Sequence, residues 1–386
     1  MAPAQRRMSG VKSAQAPLIA LAVPSIGYGG AEAVNVALGR EFLKRGYRVD
    51  FVTMREEPET EMLVPKAARH MCLRVQRTRQ ALFPLIRYLR TKHPDALVAS
   101  LWPFTSLCVL ANQLSGGTAR MVVCEHNTLS IQYANRGLAL GAFLKLSLAY
   151  ESSCADASVS VSNGVADDLA SLSGLSRNRF TVIHNPLLDR RFLPSGDAAA
   201  EAVWRGWRGP RLITVGRFKK QKNHRVLIHA FKEFLKLRDA RLLLLGEGDL
   251  LGATRHLVTE EGLAEKVLIP GAVSDPTPYY RSADLFVLSS DYEGLGNVLI
   301  ESLSVGLPVV STDCKSGPAE ILGNGKWGRL VPVGDAAALA CAMLEALDTQ
   351  HDREALKQRA MDFAPDRIAD QYLRLLFSQP FASATA

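Results

Sequence analysis

Several features are scarce in this chain of 386 residues, and each scarcity removes a class of protein. The six cysteines, Cys72, Cys108, Cys124, Cys154, Cys314 and Cys341, lie far apart. No paired short spacing offers a zinc site or a disulfide framework, so a reducing compartment is the expected home. No apolar run approaches the roughly 18 to 20 residues that cross a bilayer. The segment LALGAFLKLSLAY is broken by Lys145, and the apolar stretch Leu18 to Val23, behind Arg6, Arg7 and Lys12, is too short for a secretory signal. There is no helix-turn-helix, zinc-finger or RNP signature, so nucleic acid is not an expected partner.

What is present is a globular enzyme's composition. With 47% apolar residues the chain can bury sizeable cores, and its length fits two domains. Apolar, β-branched runs alternate with helical patterns: LIALAV, a helix from about Ala31 to Arg45, RVDFVTM, DALVAS, RMVVCEH and ASVSVS. After the turn-rich NPLLDRRFLPSGD the alternation returns in RLITVGR, ARLLLLGEG, KVLIPGA, DLFVLSS, PVVSTDC and GRLVPV. This predicts an α/β protein of two Rossmann-like domains with parallel sheets. The expected divisions are a leader at 1–16, domains at 17–194 and 195–364, and a C-terminal helix in 365–386 packing back toward the first domain. In such sheets ligands bind at the carboxyl ends of strands, which points to the cleft between the halves.

The net charge is +8. From Lys66 to Lys92 there are eight lysines and arginines and no acid, interleaved with Leu82, Phe83, Leu85, Ile86, Tyr88 and Leu89. The second half of this window has the pattern of a basic amphipathic helix. Arg79, Arg87, Arg90 and Lys92 are its candidate contacts with an anionic membrane, each basic residue contributing roughly 1 kcal/mol near the surface. An ordinary helix with its apolar stripe on the core fits the pattern equally.

Several loops follow strands in the manner of ligand sites. After LIALAV come Gly27, Gly29 and Gly30, leading into a helix. Glycines allow close approach of backbone to a phosphate, and the helix start supplies free amides. The G-x-G-G spacing is not that of a dinucleotide turn. In the second half, Gly216 and the run Arg217, Lys219, Lys220 and Lys222 stand at a strand end, with Arg217 and Lys222 placed to meet a diphosphate. IPGAVSD, around Val273, can offer backbone to a nucleobase edge. In DYEGLGNVLIESL a helix is expected from Asn297. The amides of Gly294, Leu295, Gly296, Asn297 and Val298 then form a phosphate-binding helix start. Glu301, one turn into the helix, suits ribose hydroxyls, and Glu293 suits the sugar on the other side of the diphosphate.

These motifs resemble retaining glycosyltransferases of the GT-B fold, specifically glycosyltransferase family 4, whose E-x7-E appears as Glu293 to Glu301. GGAEAVNVALGREFLKRGYRV is similar to the family's first loop and helix, and SNGVADDL and IHNP to its interdomain approach. VGRFKKQKNH is similar to its diphosphate loop. The resemblance covers nearly the whole chain, and its wording is that of the branch building polysaccharides and lipid-linked glycans. It implies transfer of a hexose or N-acetylhexosamine from a nucleotide diphosphate sugar, UDP favoured, with retention at the anomeric carbon. Arg217 and Lys222 would neutralise the leaving diphosphate. Glu293 would orient the donor sugar and Glu301 the ribose, and His126, in CEHN, matches a position near the transferred sugar. No metal or other cofactor is expected, and the sequence has no D-x-D. The implied acceptor is a saccharide carried on lipid, at the cytoplasmic face of the membrane. Two departures stand out. Ala33 replaces an arginine common after the first-loop glutamate, and Gly296 replaces a proline, predicting a looser loop.

Other classes are weighed on the same residues. A sugar-nucleotide epimerase shares the architecture and would form free-sugar epimers without acceptor. A nicotinamide-dependent oxidoreductase is opposed by the first loop's spacing and the absence of a ribose acid after the second strand. A membrane scaffold leaves Glu293, Glu301, Arg217 and Lys222 without a purpose.

Overall fold

The computed structural model describes residues 16–27, 29–58, 60–134, 137–188 and 196–377. The expected leader, apart from its last residue, and the junction near residue 195 lie outside the described residues. Seven parallel strands form the first sheet: β1 (Leu18–Val23), β2 (Arg48–Thr53), β3 (Arg69–Cys72), β4 (Ala96–Ser100), β5 (Arg120–Glu125), β6 (Ala157–Ser160) and β7 (Phe180–Val182). Their order is β3-β2-β1-β4-β5-β6-β7. Six more form the second: β8 (Arg211–Val215), β9 (Arg241–Leu245), β10 (Val267–Gly271), β11 (Leu285–Leu288), β12 (Val309–Thr312) and β13 (Arg329–Val331), ordered β10-β9-β8-β11-β12-β13. Each order reverses beside the first strand of its half, between β1 and β4 and between β8 and β11. A ligand site belongs at the carboxyl ends there.

The central strands are apolar throughout because helices cover both faces: all six residues of β1 are buried, as are four of the five of β9. The helices that position the site are α1 (Gly30–Lys44), α2 (Leu82–Lys92), α3 (Phe104–Ser115), α4 (Leu138–Cys154), α5 (Asn163–Ser173), α6 (His224–Leu235), α7 (Asn297–Ser304) and α8 (Pro365–Leu376). α8 returns to the first half, packing on α1 and β5. Arg45 pairs with Asp370 at 3.0 Å, and the Tyr372 hydroxyl meets Cys124 Sγ at 3.2 Å.

The basic window is three elements, not one. Its first part is the edge strand β3, where Arg69 is tied to Asp50 of β2. A 3-10 turn, Thr78–Ala81, carries Arg79, and α2 follows. Leu85, Tyr88 and Leu89 of α2 are buried in the core, each side chain contributing about 1.5–3 kcal/mol. Most of the apolar stripe is therefore taken up by packing, while Phe83, at 78% exposure, stands in solvent with Arg79, Arg87, Arg90 and Lys92. The only G-x-G-x-x-G spacing, Gly323, Gly325 and Gly328, runs from a short helix, Pro318–Ile321, into β13. That is the reverse of the strand-to-helix order a dinucleotide turn needs. Among the described residues no helix is long and apolar enough to cross a membrane.

Candidate active site

A cavity of about 680 Å³ lies between the carboxyl ends of the two sheets. Every residue expected from the sequence to bind the donor lines it: Gly29 and Gly30 from the first half, His126 at the end of β5, Gly216, Arg217 and Lys222 after β8, Val273 after β10, and Glu293 through Val298 with Glu301 after β11. The loops at the starts of α1 and α7 face each other: a Cβ built on Gly30 would stand 3.6 Å from Asn297 Nδ2. Two helix starts thus aim amides into one space, an arrangement suited to a diphosphate.

The second half supplies the charges. Lys222 closes a 3-10 turn, Lys220–Lys222, and its stem lies over Gly216, where a Cβ would come within 3.2 Å of Lys222 Cε. Its ammonium reaches Glu293 Oε1 at 2.5 Å, and the Ser290 hydroxyl donates to the same oxygen at 2.6 Å. Glu293 caps no helix: the position before α7 is Gly296, and no side chain caps that start. Arg217 is exposed at the cavity rim. Glu301 is buried on α7 and accepts from the Tyr280 hydroxyl at 3.0 Å.

The loop holding Glu293 is not loose, contrary to the expectation drawn from Gly296. Glu293 N donates to Lys315 O and Ser316 N to Glu293 O, at 2.8 and 2.9 Å. Leu295 is buried, and Gly296 has φ +92°, which proline's ring forbids. Glycine here selects a different tight path. Gly294 is fixed by space instead: a Cβ there would fall 1.8 Å from His126 O. The first half grips the same loop, since Thr128 Oγ1 donates to Glu293 O at 2.9 Å and Ser162 Oγ to Gly294 O at 2.6 Å. Glu320, beyond β12, accepts from the first amides of α5, Asn163 and Gly164, and contacts His184 at 3.2 Å. Burial alone would raise its pKa, but His184 and these amides hold it below the ordinary value.

His126 is partly buried, and both its ring nitrogens are shut off from solvent with no hydrogen-bond partner among the described residues. Burial pushes its pKa down to about 4; the nearby Asn185 side chain opposes that shift without completing a hydrogen bond. The ring is neutral at physiological pH, and the residue lines the cavity. Behind it Glu125 accepts from the amides of Trp102, His126 and Asn127 at 2.8–3.1 Å. Burial pushes the Glu125 carboxyl up to about 7 against these amides.

Sequence reasoning missed four contributors. Asn185 lines the cavity, donates to Asn297 Oδ1 at 2.8 Å and leaves its own Oδ1 buried without a partner among the described residues. Glu32, in the first turn of α1, faces Arg217 and Lys219 across the cleft; burial raises its pKa while those cations lower it. Ser290 stands three residues before Glu293, and its neighbourhood in SSDYEG was the signal available. Tyr280 had none.

Comparison with known proteins agrees with this geometry. Residues 28–187 match the model of Glycosyltransferase Family 4, and 209–349 that of Glycosyl transferases group 1. Over 368 residues the chain is 30% identical to the N-acetylgalactosamine-N,N'-diacetylbacillosaminyl-diphospho-undecaprenol 4-alpha-N-acetylgalactosaminyltransferase of Campylobacter jejuni, covering 91% of this chain and 97% of that one. The chain belongs to glycosyltransferase family 4. This glycosyltransferase is also 31% identical to the putative glycosyltransferase EpsF of Bacillus subtilis, over 74% of this chain and 76% of that one. In fold it resembles Anabaena Alr3699/HepE in complex with UDP-glucose, with TM-score 0.78 and 18% identity, over 94% of this chain and all of the other. The GT-B architecture is thus that of the transferase's structural relatives.

Proposed function

We propose that this glycosyltransferase moves a hexose or N-acetylhexosamine from a UDP-sugar, with retention, to a lipid-linked saccharide in cell-surface glycan assembly. The observation that carries the reading is the Lys222–Glu293–Ser290 cluster, set between two opposing helix starts. The diphosphate lies between those starts, with Arg217 and Lys222 neutralising the charge that develops as the glycosidic bond to phosphate breaks. Lys222 holds the Glu293 carboxylate in place, and Glu293 accepts hydroxyls of the donor sugar. Glu301, braced by Tyr280, takes the ribose, and backbone near Val273 the base edge. Neutral His126 and Asn185 contact the transferred sugar from the first half, which also seats the acceptor. No step in this scheme draws on a metal.

The lipid-linked acceptor is supported by the Campylobacter relative, whose name places its substrate on diphospho-undecaprenol. The exposed cations Arg79, Arg87, Arg90 and Lys92 support peripheral contact with the anionic inner face of a membrane. The test is donor turnover with UDP-sugars and GDP-sugars, and NMR of the product's anomeric proton. An axial product from an axial donor supports the reading, and an equatorial one overturns retention. Glu293→Ala should reduce kcat/KM by about 10²- to 10³-fold with an unchanged thermal midpoint. An active variant would remove Glu293 from the site.

A further inference from the structure

The membrane part of that reading has an apolar component larger than the single exposed Phe83 of α2. On α4, Leu138 is 96% exposed, Leu146 73% and Phe143 54%. At 100° per residue these three, with Ala139 and Ala142, fall within an arc of roughly 140°. Leu144, Ser147, Leu148 and Glu151 occupy the opposite side and are buried against α3 and α5. The outer face of α4 is therefore an apolar stripe that the fold leaves unused, edged by exposed Lys145.

Two further observations identify what covers it. Between Val64 and Cys154, which includes the α2–α3–α4 layer, there are eleven lysines and arginines against three acids, a surplus equal to the chain's entire net charge of +8. Two of the three acids, Glu125 and Glu151, are buried, and the exposed Asp95 accepts the Leu18 amide. A second copy on this face would set like charges against each other, whereas an anionic bilayer complements both the charge and the apolar stripe. The position is also right. The Phe143 ring rests on Trp102 with centroids 5.9 Å apart, and Leu101, the preceding residue, lines the active-site cavity.

We propose that the outer face of α4 inserts into an anionic bilayer through Leu138, Phe143 and Leu146, beside the first-half mouth of the cleft. The acceptor's lipid tail then stays in the bilayer while its saccharide enters the cavity. This rests on the lipid-linked acceptor proposed above, and the test separates the two. The full chain is floated with vesicles of phosphatidylcholine alone and of phosphatidylcholine with phosphatidylglycerol, at low and high salt. Transfer is measured in parallel to a water-soluble, short-tailed saccharide acceptor.

The wild type should float with the anionic vesicles and retain part of its binding at high salt. Leu138→Ser/Phe143→Ser/Leu146→Ser should lose about tenfold or more of that binding while transferring normally to the soluble acceptor. Arg87→Glu/Arg90→Glu should lose only the salt-sensitive part. Should the triple variant fold poorly, the single Leu138→Glu, at a position almost fully in solvent, gives the same reading. Flotation by the triple or single variant equal to wild type would overturn the proposal. So would a wild-type dimer in sedimentation that the variant converts to monomer, which would make this face a contact between copies. Loss of transfer to the soluble acceptor in every form would strike at the acceptor reading instead, leaving the vesicle result to stand alone.

Discussion

The two halves bury the same residue for different ends. In the second half, Glu293 is paired with the Lys222 ammonium, and both line the cavity. In the first half, Glu125 and Glu151 pair with no cation among the described residues. Glu125 accepts three backbone amides, and Glu151 accepts the hydroxyls of Thr105 and Ser106. Burial accordingly pushes Glu125 up to about 7 and Glu151 up to about 8. Glu293, placed to meet a ligand, is faced by a cation, which a diphosphate can engage. A carboxyl meant to hold the scaffold is given fixed dipoles, which ask for no charge.

The largest expected effect tests the charged side of that comparison. Lys222→Ala removes both the partner of Glu293 and a cation for the leaving diphosphate, so kcat/KM should fall by about 10²- to 10³-fold. Adding Glu293→Gln to it should cost little more, because residues that act as a unit are not additive. Steady-state kinetics of the two singles and the double decide it. Losses that simply multiply would show two independent contacts, and the pair would then be a structural coincidence.

The scaffold side is tested by pH. Glu151 sits on α4, with the Cys108 thiol and Glu125 as its other titratable neighbours. Its folded pKa, about 8, lies above the ordinary 4.5, so folding favours the protonated form. That contribution to stability is complete below the ordinary value and is lost as pH rises through about 8. Both hydroxyls reach Glu151 Oε2, so the carbonyl of Gln can accept them. Glu151→Gln should therefore be about as stable as wild type near pH 5 and increasingly more stable toward pH 9. Thermal midpoints that keep a constant difference across that range would mean Glu151 is ionised in the fold.

The same contrast explains how much the sequence disclosed. Eleven of thirteen strands were legible because central parallel strands are continuous apolar runs. The two that were missed, β3 and β7, are sheet edges: RHMC is only partly covered, and β7 has just three residues. The donor side was legible because its residues sit in short segments behind strands, where Glu293 and Glu301 are eight apart. Contacts between distant segments were not legible in the same way: SNGVADDL and IHNP pointed to the interdomain approach but not to what they touch. Asn185 meets Asn297 from 112 residues away, and the grip of Thr128 and Ser162 on the Glu293 loop exists only once the halves meet. Gly296 misled because composition reports a glycine's freedom but not the φ of +92° that uses it.

The smallest expected effect concerns such a distant contact. Tyr280 lies in a short helix, Thr277–Arg281, with its ring at the edge of Phe286 and its hydroxyl on Glu301. It lines no part of the cavity, so it acts by positioning Glu301. Tyr280→Phe keeps the ring packing and removes one hydrogen bond to a carboxyl oxygen, worth about 3 kcal/mol at most in place. If Glu301 binds the ribose, the loss falls on donor binding. KM for the UDP-sugar should then rise about fivefold or more with kcat little changed, and discrimination against the 2′-deoxyribose donor should shrink. A variant with lowered thermal midpoint but unaltered ribose discrimination would reduce Tyr280 to packing, and would leave Glu301 without the brace that distinguishes it from an ordinary helix acid.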